Sequence, residues 1–126
     1  MKSKLFFLIV LLLSVFSLQA QILEPIKWNT QLKNEDNNKK EIIFHAKIEN
    51  GWHLYGLDIP EGGPRSTRFV FEKIQGAILS GNIHALNEAT TEYSPLFELK
   101  LSWYSKSADF SQKIEITDSK QFSISG

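Results

Sequence analysis

Phe97-Glu98-Leu99-Lys100-Leu101-Ser102-Trp103-Tyr104 alternates apolar and polar positions along its length. Successive side chains of a strand point to opposite faces. This period of two therefore predicts a half-buried strand, with Phe97, Leu99, Leu101 and Trp103 inward and Glu98, Lys100, Ser102 and Tyr104 outward.

The same alternation recurs in both directions from that stretch. Upstream, Ile26, Trp28, Thr30 and Leu32 alternate with Lys27, Asn29 and Gln31. Ile42, Phe44, Ala46 and Ile48 alternate with Ile43, His45 and Lys47, and the polar stretch from Lys33 to Lys40 between the two reads as a solvated loop. Ser66 to Lys73 is strand-like, with Thr67, Phe69 and Phe71 on one face and Arg68, Val70 and Glu72 on the other. Short apolar pieces around Ile78 and Ile83 flank Ser80-Gly81-Asn82, and residues 87–96 read as an ordered loop. Downstream of a turn at Ser105–Ser107, Phe110, Ile114 and Ile116 mark another strand, and Phe122 with Ile124 begin a last one.

No internal repeat, low-complexity tract or capped helix-period stretch interrupts this pattern. About seven short strands, with turn signals every eight to twelve residues, predict an all-β antiparallel sandwich. Its expected core is Trp28, Phe44, Trp52, Phe69, Phe71, Leu99, Leu101, Trp103 and Phe110. The last strand stops abruptly at Gly126, so the sandwich is expected to be incomplete there, with an edge left unpaired.

Asn50-Gly51 is a hairpin signal leading into Trp52–Leu57. A three-residue loop of Glu49, Asn50 and Gly51 would pair Ile48 with Trp52. Trp52 and Leu54 then join the apolar face, and His53 and Tyr55 join His45 and Lys47 on the other. Gly51 is expected in the left-handed region that such a loop requires. Pro60-Glu61-Gly62-Gly63-Pro64 reads as a surface loop.

Residues 1–20 have the layout of a secretory signal peptide: Lys2 and Lys4, then an unbroken apolar run from Leu5 to Leu13, then small residues at Ser17 and Ala20. The mature domain is expected to span 21–126, outside the cytoplasm. Of the 14 Lys+Arg, two lie in the signal, and none of the 14 Asp+Glu does, so the remainder carries a formal charge of −2. That balance offers no basic stripe for nucleic acid.

Enzyme templates find little purchase. There is no phosphate-cradling glycine loop, no His-Glu-x-x-His motif and no nucleophile elbow, and the chain has no cysteine. Neither a metal nor a cofactor is expected. His45, His53 and Tyr55 are expected to share an ordinary polar strand face. Tyr55, Tyr93 and Tyr104 on outer faces or loops would suit stacking on a sugar or a protein partner.

Four stretches in this order resemble the N-terminal periplasmic domain of DsbD-type thiol:disulfide interchange proteins, above all their Bacteroidetes-like versions. They are Ile22-Leu23-Glu24-Pro25-Ile26-Lys27-Trp28, Asn50-Gly51-Trp52-His53-Leu54-Tyr55, Asp58-Ile59-Pro60-Glu61-Gly62-Gly63-Pro64 and Glu92-Tyr93-Ser94-Pro95-Leu96-Phe97. The resemblance implies an immunoglobulin-like sandwich and a periplasmic role. Such a domain takes reducing equivalents from a thioredoxin-like domain and passes them to disulfide isomerases or to cytochrome c maturation. It also implies that His53 and Tyr55 surround the active site, and that Glu92, Tyr93, Ser94 and Pro95 form a cap loop over it. The family's cysteine pair is missing from this chain and belongs on strands that would follow Gly126, so the residues given are expected to be redox-inactive and a fragment of a longer protein. The alternative is a cysteine-free extracytoplasmic module of immunoglobulin-like fold that binds protein or carbohydrate.

Overall fold

The computed structural model describes residues 23–126, and every regular element among them is a strand. The expected signal segment, 1–20, lies outside the described residues. β1 (Ile26–Asn34) and β2 (Lys39–Ile48) pair antiparallel across a turn confined to residues 35–38. The loop expected over Lys33–Lys40 is therefore much shorter. Asn37 takes a φ of 52°, a left-handed geometry that asparagine tolerates, and this closes the chain tightly enough for the ladder to run to Asn34 and Lys40.

β8 (Ser107–Ile116) lies on the other side of β2, with Phe44 opposite Phe110, and β5 (Ala77–Ala85) completes a four-stranded sheet ordered β1-β2-β8-β5. The two apolar pieces around Ile78 and Ile83 belong to this one strand, which is interrupted by a bulge between Ser80 and His84. A second sheet is ordered β3-β7-β6, from β3 (Leu54–Tyr55), β7 (Leu99–Tyr104) and β6 (Thr90–Ser94). β4 (Lys73–Gln75) and β9 (Ser123–Ser125) make a two-stranded ribbon. The fold is all-β and antiparallel, as the alternation predicted.

The sheets meet over Ala46, Ile48, Ala108 and Phe110 from the first and Tyr104 and Leu54 from the second. Phe110 is fully buried. Its ring lies 5.2 Å from Phe69 and 5.6 Å from Tyr104, the latter edge-on at 84°. A second cluster, Ala77, Ile114 and Ile116, is covered by Ile74 and Ile124 of the ribbon and by Phe122 just before β9. Two of the expected core tryptophans, Trp28 and Trp52, each keep 46% of their surface exposed.

Three local readings are corrected. The Asn50-Gly51 turn forms, with Trp52 N donating to Glu49 O at 3.0 Å and Gly51 at φ 84°, but it joins two sheets and makes no hairpin. Both edges of β2 are taken by β1 and β8, so the next segment has no free edge there and pairs with β7 instead. Ser66–Glu72 keeps the predicted alternation of burial but forms no ladder. Its backbone bonds are Thr67 N to Gly56 O and Glu72 N to Ser125 O, and strand pairing begins only at Lys73. Residues 90–94, expected within a loop, are β6. A turn over residues 95–98, closed by Glu98 N donating to Ser94 O at 2.8 Å with Glu98 at φ 55°, folds them back onto β7.

Candidate functional site

The residues singled out by sequence gather on the three-stranded sheet. Tyr55 pairs with Trp103 on the central strand, and Trp103 pairs with Thr90 on the far side, so these three form one row across the sheet. Paired residues of an antiparallel ladder share a face. The next row on that face holds Leu101 and Glu92, and the one after it Leu99 and Ser94. Glu92 thus lies diagonally across β7 from Tyr55.

His53, two residues before Tyr55, returns to the same face and stacks on Trp103, with ring centroids 5.1 Å apart and planes inclined by 18°. The stack fixes the imidazole over an indole while His53 stays exposed. Thr67 Oγ1 donates to Tyr55 O at 2.5 Å and ties the same strand to the extended segment beside it.

Leu101 on this outer face is nevertheless buried, because the Pro60–Pro64 turn folds back over it. A Cβ placed on Gly63 would sit 3.4 Å from Leu101 Cδ2, and one on Gly62 would sit 4.0 Å from Leu99 Cδ1. The loop floors the lower rows and leaves the His53–Trp103–Tyr55 row accessible. A half-exposed aromatic row bordered by one carboxylate, Glu92, can receive a partner's apolar or cationic side chain.

Not all the expected residues converge. Glu92 faces the aromatic row, whereas Tyr93, 60% exposed, points from the opposite face beside Lys100. Ser94 ends the strand and Pro95 starts the turn, so these four residues form a strand end rather than a loop.

His45 is not beside Tyr55. Its cross-strand neighbours are Asn29 and Asp109, and His45 Nδ1 donates to Asp109 Oδ1. Asp109 N in turn donates to Asn87 Oδ1. The mistaken pairing followed from the mistaken hairpin.

Tyr104, expected outward, is 7% exposed and lies in the inter-sheet core, which removes it as a stacking platform. Burial raises its phenol pKa above the ordinary 10.0, and the charge of Asp58 raises it further. Trp103, expected in the core, lies instead on the outer face in the row of Tyr55 and Thr90. Its two-residue offset from Leu101 gave the shared face, but only the register with β3 reveals the stack on His53. Comparison of the chain with family models, with curated proteins and with solved structures returned no match.

Proposed function

We propose that this chain is the substrate-facing domain of a periplasmic, DsbD-type thiol:disulfide interchange system with an immunoglobulin-like sandwich. In that system reducing equivalents pass from a thioredoxin-like protein or domain to disulfide isomerases or to cytochrome c maturation; the cysteine pair that carries them is not in this chain, which is redox-inactive by itself. The observation that supports this reading is the convergence of His53, Tyr55 and Glu92 around Trp103 on one accessible sheet face. His53, Tyr55 and Glu92 are also residues that the motif resemblance implies for the active-site surround and the cap.

The reaction is attack of a thiolate on a disulfide through a mixed disulfide. The chain has no cysteine, so it supplies no sulfur itself. On this reading its residues form the docking surround, where the aromatic row seats the partner and Glu92 places a negative charge beside it. A carboxylate next to a thiol disfavours the thiolate and damps its reactivity until a partner docks.

The test is titration of the isotopically labelled chain with a thioredoxin-like periplasmic protein, followed by amide chemical-shift changes. Shifts should concentrate on residues 53–55, 90–92 and 101–103, and Tyr55→Ala should weaken binding about tenfold, the loss typical of an aromatic anchor. Shifts confined to the four-stranded sheet, or none at all, would reject the reading. A response of the aromatic row to oligosaccharide but not to the thioredoxin-like protein would favour the carbohydrate-binding alternative.

A further inference from the structure

Among the described residues, β1 ends its sheet with one side of its backbone unpaired. The register says which groups are free. Glu49 N donates to Pro25 O, while Ile48 N donates to Lys106 O on the far side of β2. Odd-numbered residues of β1 therefore bond β2, and Ile26, Trp28, Thr30, Leu32 and Asn34 turn their N–H and C=O groups outward. This edge runs for nine residues with no proline, glycine or bulge. The other sheet edges differ: β5 is broken by its bulge, β6 has five residues and β3 has two. Beside the free backbone, Trp28 and Leu32 remain 46% and 47% exposed.

We propose that two copies of this chain associate through β1, edge to edge and antiparallel about a twofold axis at Asn29, so that their four-stranded sheets join into one. Inner faces stay aligned only if the axis falls on a residue. With the axis at Asn29, Ile26 meets Leu32 of the second copy and Trp28 meets Thr30 in hydrogen-bonded pairs. Lys27 meets Gln31, and Asn29 meets its own copy, in the closer non-hydrogen-bonded pairs. With the axis at Thr30, Lys27 would face Lys33 at both ends at that closer spacing, and like charges directly opposite destabilise a sheet. With the axis at Gln31, Trp28 would face Asn34 and Ile26 would have no partner. Lysines on edge strands usually guard against pairing. Here Lys27 and Lys33 exclude one register and permit another. The contact is small, at the low end of interface sizes, so the association is weak and concentration-dependent.

The absence of cysteine makes the test direct. The full chain is purified from a secreting host, its N-terminus is read by mass spectrometry, and Asn29→Cys, Thr30→Cys and Gln31→Cys are oxidised mildly at ~100 μM protein. A non-hydrogen-bonded pair sets Cα atoms ~4.5 Å apart, within disulfide reach. Asn29→Cys should form covalent dimer at least tenfold faster than the other two. Sedimentation of the unmodified chain should show mass rising with concentration towards twice that of the monomer. Thr30→Pro removes an outward N–H that β2 does not use, and Asn29→Asp sets two carboxylates at the axis. Either should give a folded monomer with unchanged far-ultraviolet dichroism. Monomeric mass at every concentration up to ~1 mM overturns the proposal. So does fastest cross-linking at Thr30 or Gln31, or equal cross-linking at all three.

Discussion

Tyr104 sits between the two sheets, edge-on to Phe110, with its phenol pKa raised by burial and then by Asp58. The native state therefore holds this proton more tightly than the unfolded chain, whose phenol titrates near 10.0. Below that pH both states are protonated and the stability contribution is fully present. As pH rises past 10 towards the folded value, the unfolded state loses its proton first and stability falls. The urea midpoint of the native sequence should be lower at pH 11 than at pH 8, and Tyr104→Phe should narrow the gap. An equal gap in both would place the alkaline sensitivity elsewhere. The alternation in Phe97–Tyr104 gave the strand only from Leu99 onward, since Phe97 and Glu98 belong to the turn, and it did not give the dry face, because both faces of β7 are covered. The Pro60–Pro64 turn buries Leu101 on one side and the first sheet buries Tyr104 on the other. A pattern of two can show which residues share a face. It cannot show which face a distant loop will cover.

At the scale of elements, two glycines with positive φ separate backbone strain from steric conflict. Gly51, at φ 84°, turns the chain from one sheet to the other, and a Cβ there would meet nothing within 4 Å. Gly76, at φ 66°, links β4 to β5, and its Cβ would press on the Gln121 carbonyl and lie 3.0 Å from Phe122 Cα, both backbone atoms. Gly51→Ala should cost about 1 kcal/mol, the usual penalty for a left-handed alanine. Gly76→Ala should cost at least ~2–3 kcal/mol, since the ribbon must shift as well. Equal urea midpoints for the two variants would mean that the β4–β9 ribbon yields freely. The Gly51 turn was legible in Asn50-Gly51, but the partner of the strand beyond it was not. That depended on β8, some sixty residues away, having claimed the edge of β2. β6 was missed for a related reason. Thr90-Thr91-Glu92-Tyr93-Ser94 has no apolar alternation, and what makes it a strand is the edge offered by β7 after Glu98 accepts a left-handed φ.

Across the whole molecule, the two hydrophobic clusters divide the stabilising contacts unequally. The cluster around Phe110 joins both sheets and draws on β2, β8, β3 and β7, whereas the one around Ile114 and Ile116 joins the four-stranded sheet only to the ribbon. Opening the first requires parting the sheets. Opening the ribbon requires releasing three short pairs, Lys73 with Ser125, Ile74 with Ile124 and Gln75 with Ser123. Native-state hydrogen exchange should therefore show two levels. Amides of β2 and β8 should exchange only by global unfolding, and those of β4 and β9 by a sub-global opening of lower free energy. Phe110→Ala should lower the upper level by ~3–5 kcal/mol, the usual cost of deleting a buried aromatic ring. Ile124→Ala should speed exchange in Lys73–Gln75 and Ser123–Ser125 while leaving β8 amides within about 1 kcal/mol of their original protection. If Ile124→Ala instead lowers β8 protection as much as it lowers that of the ribbon, the clusters unfold as one unit. The ribbon would then be an integral part of the sandwich rather than a flap closing one end of it.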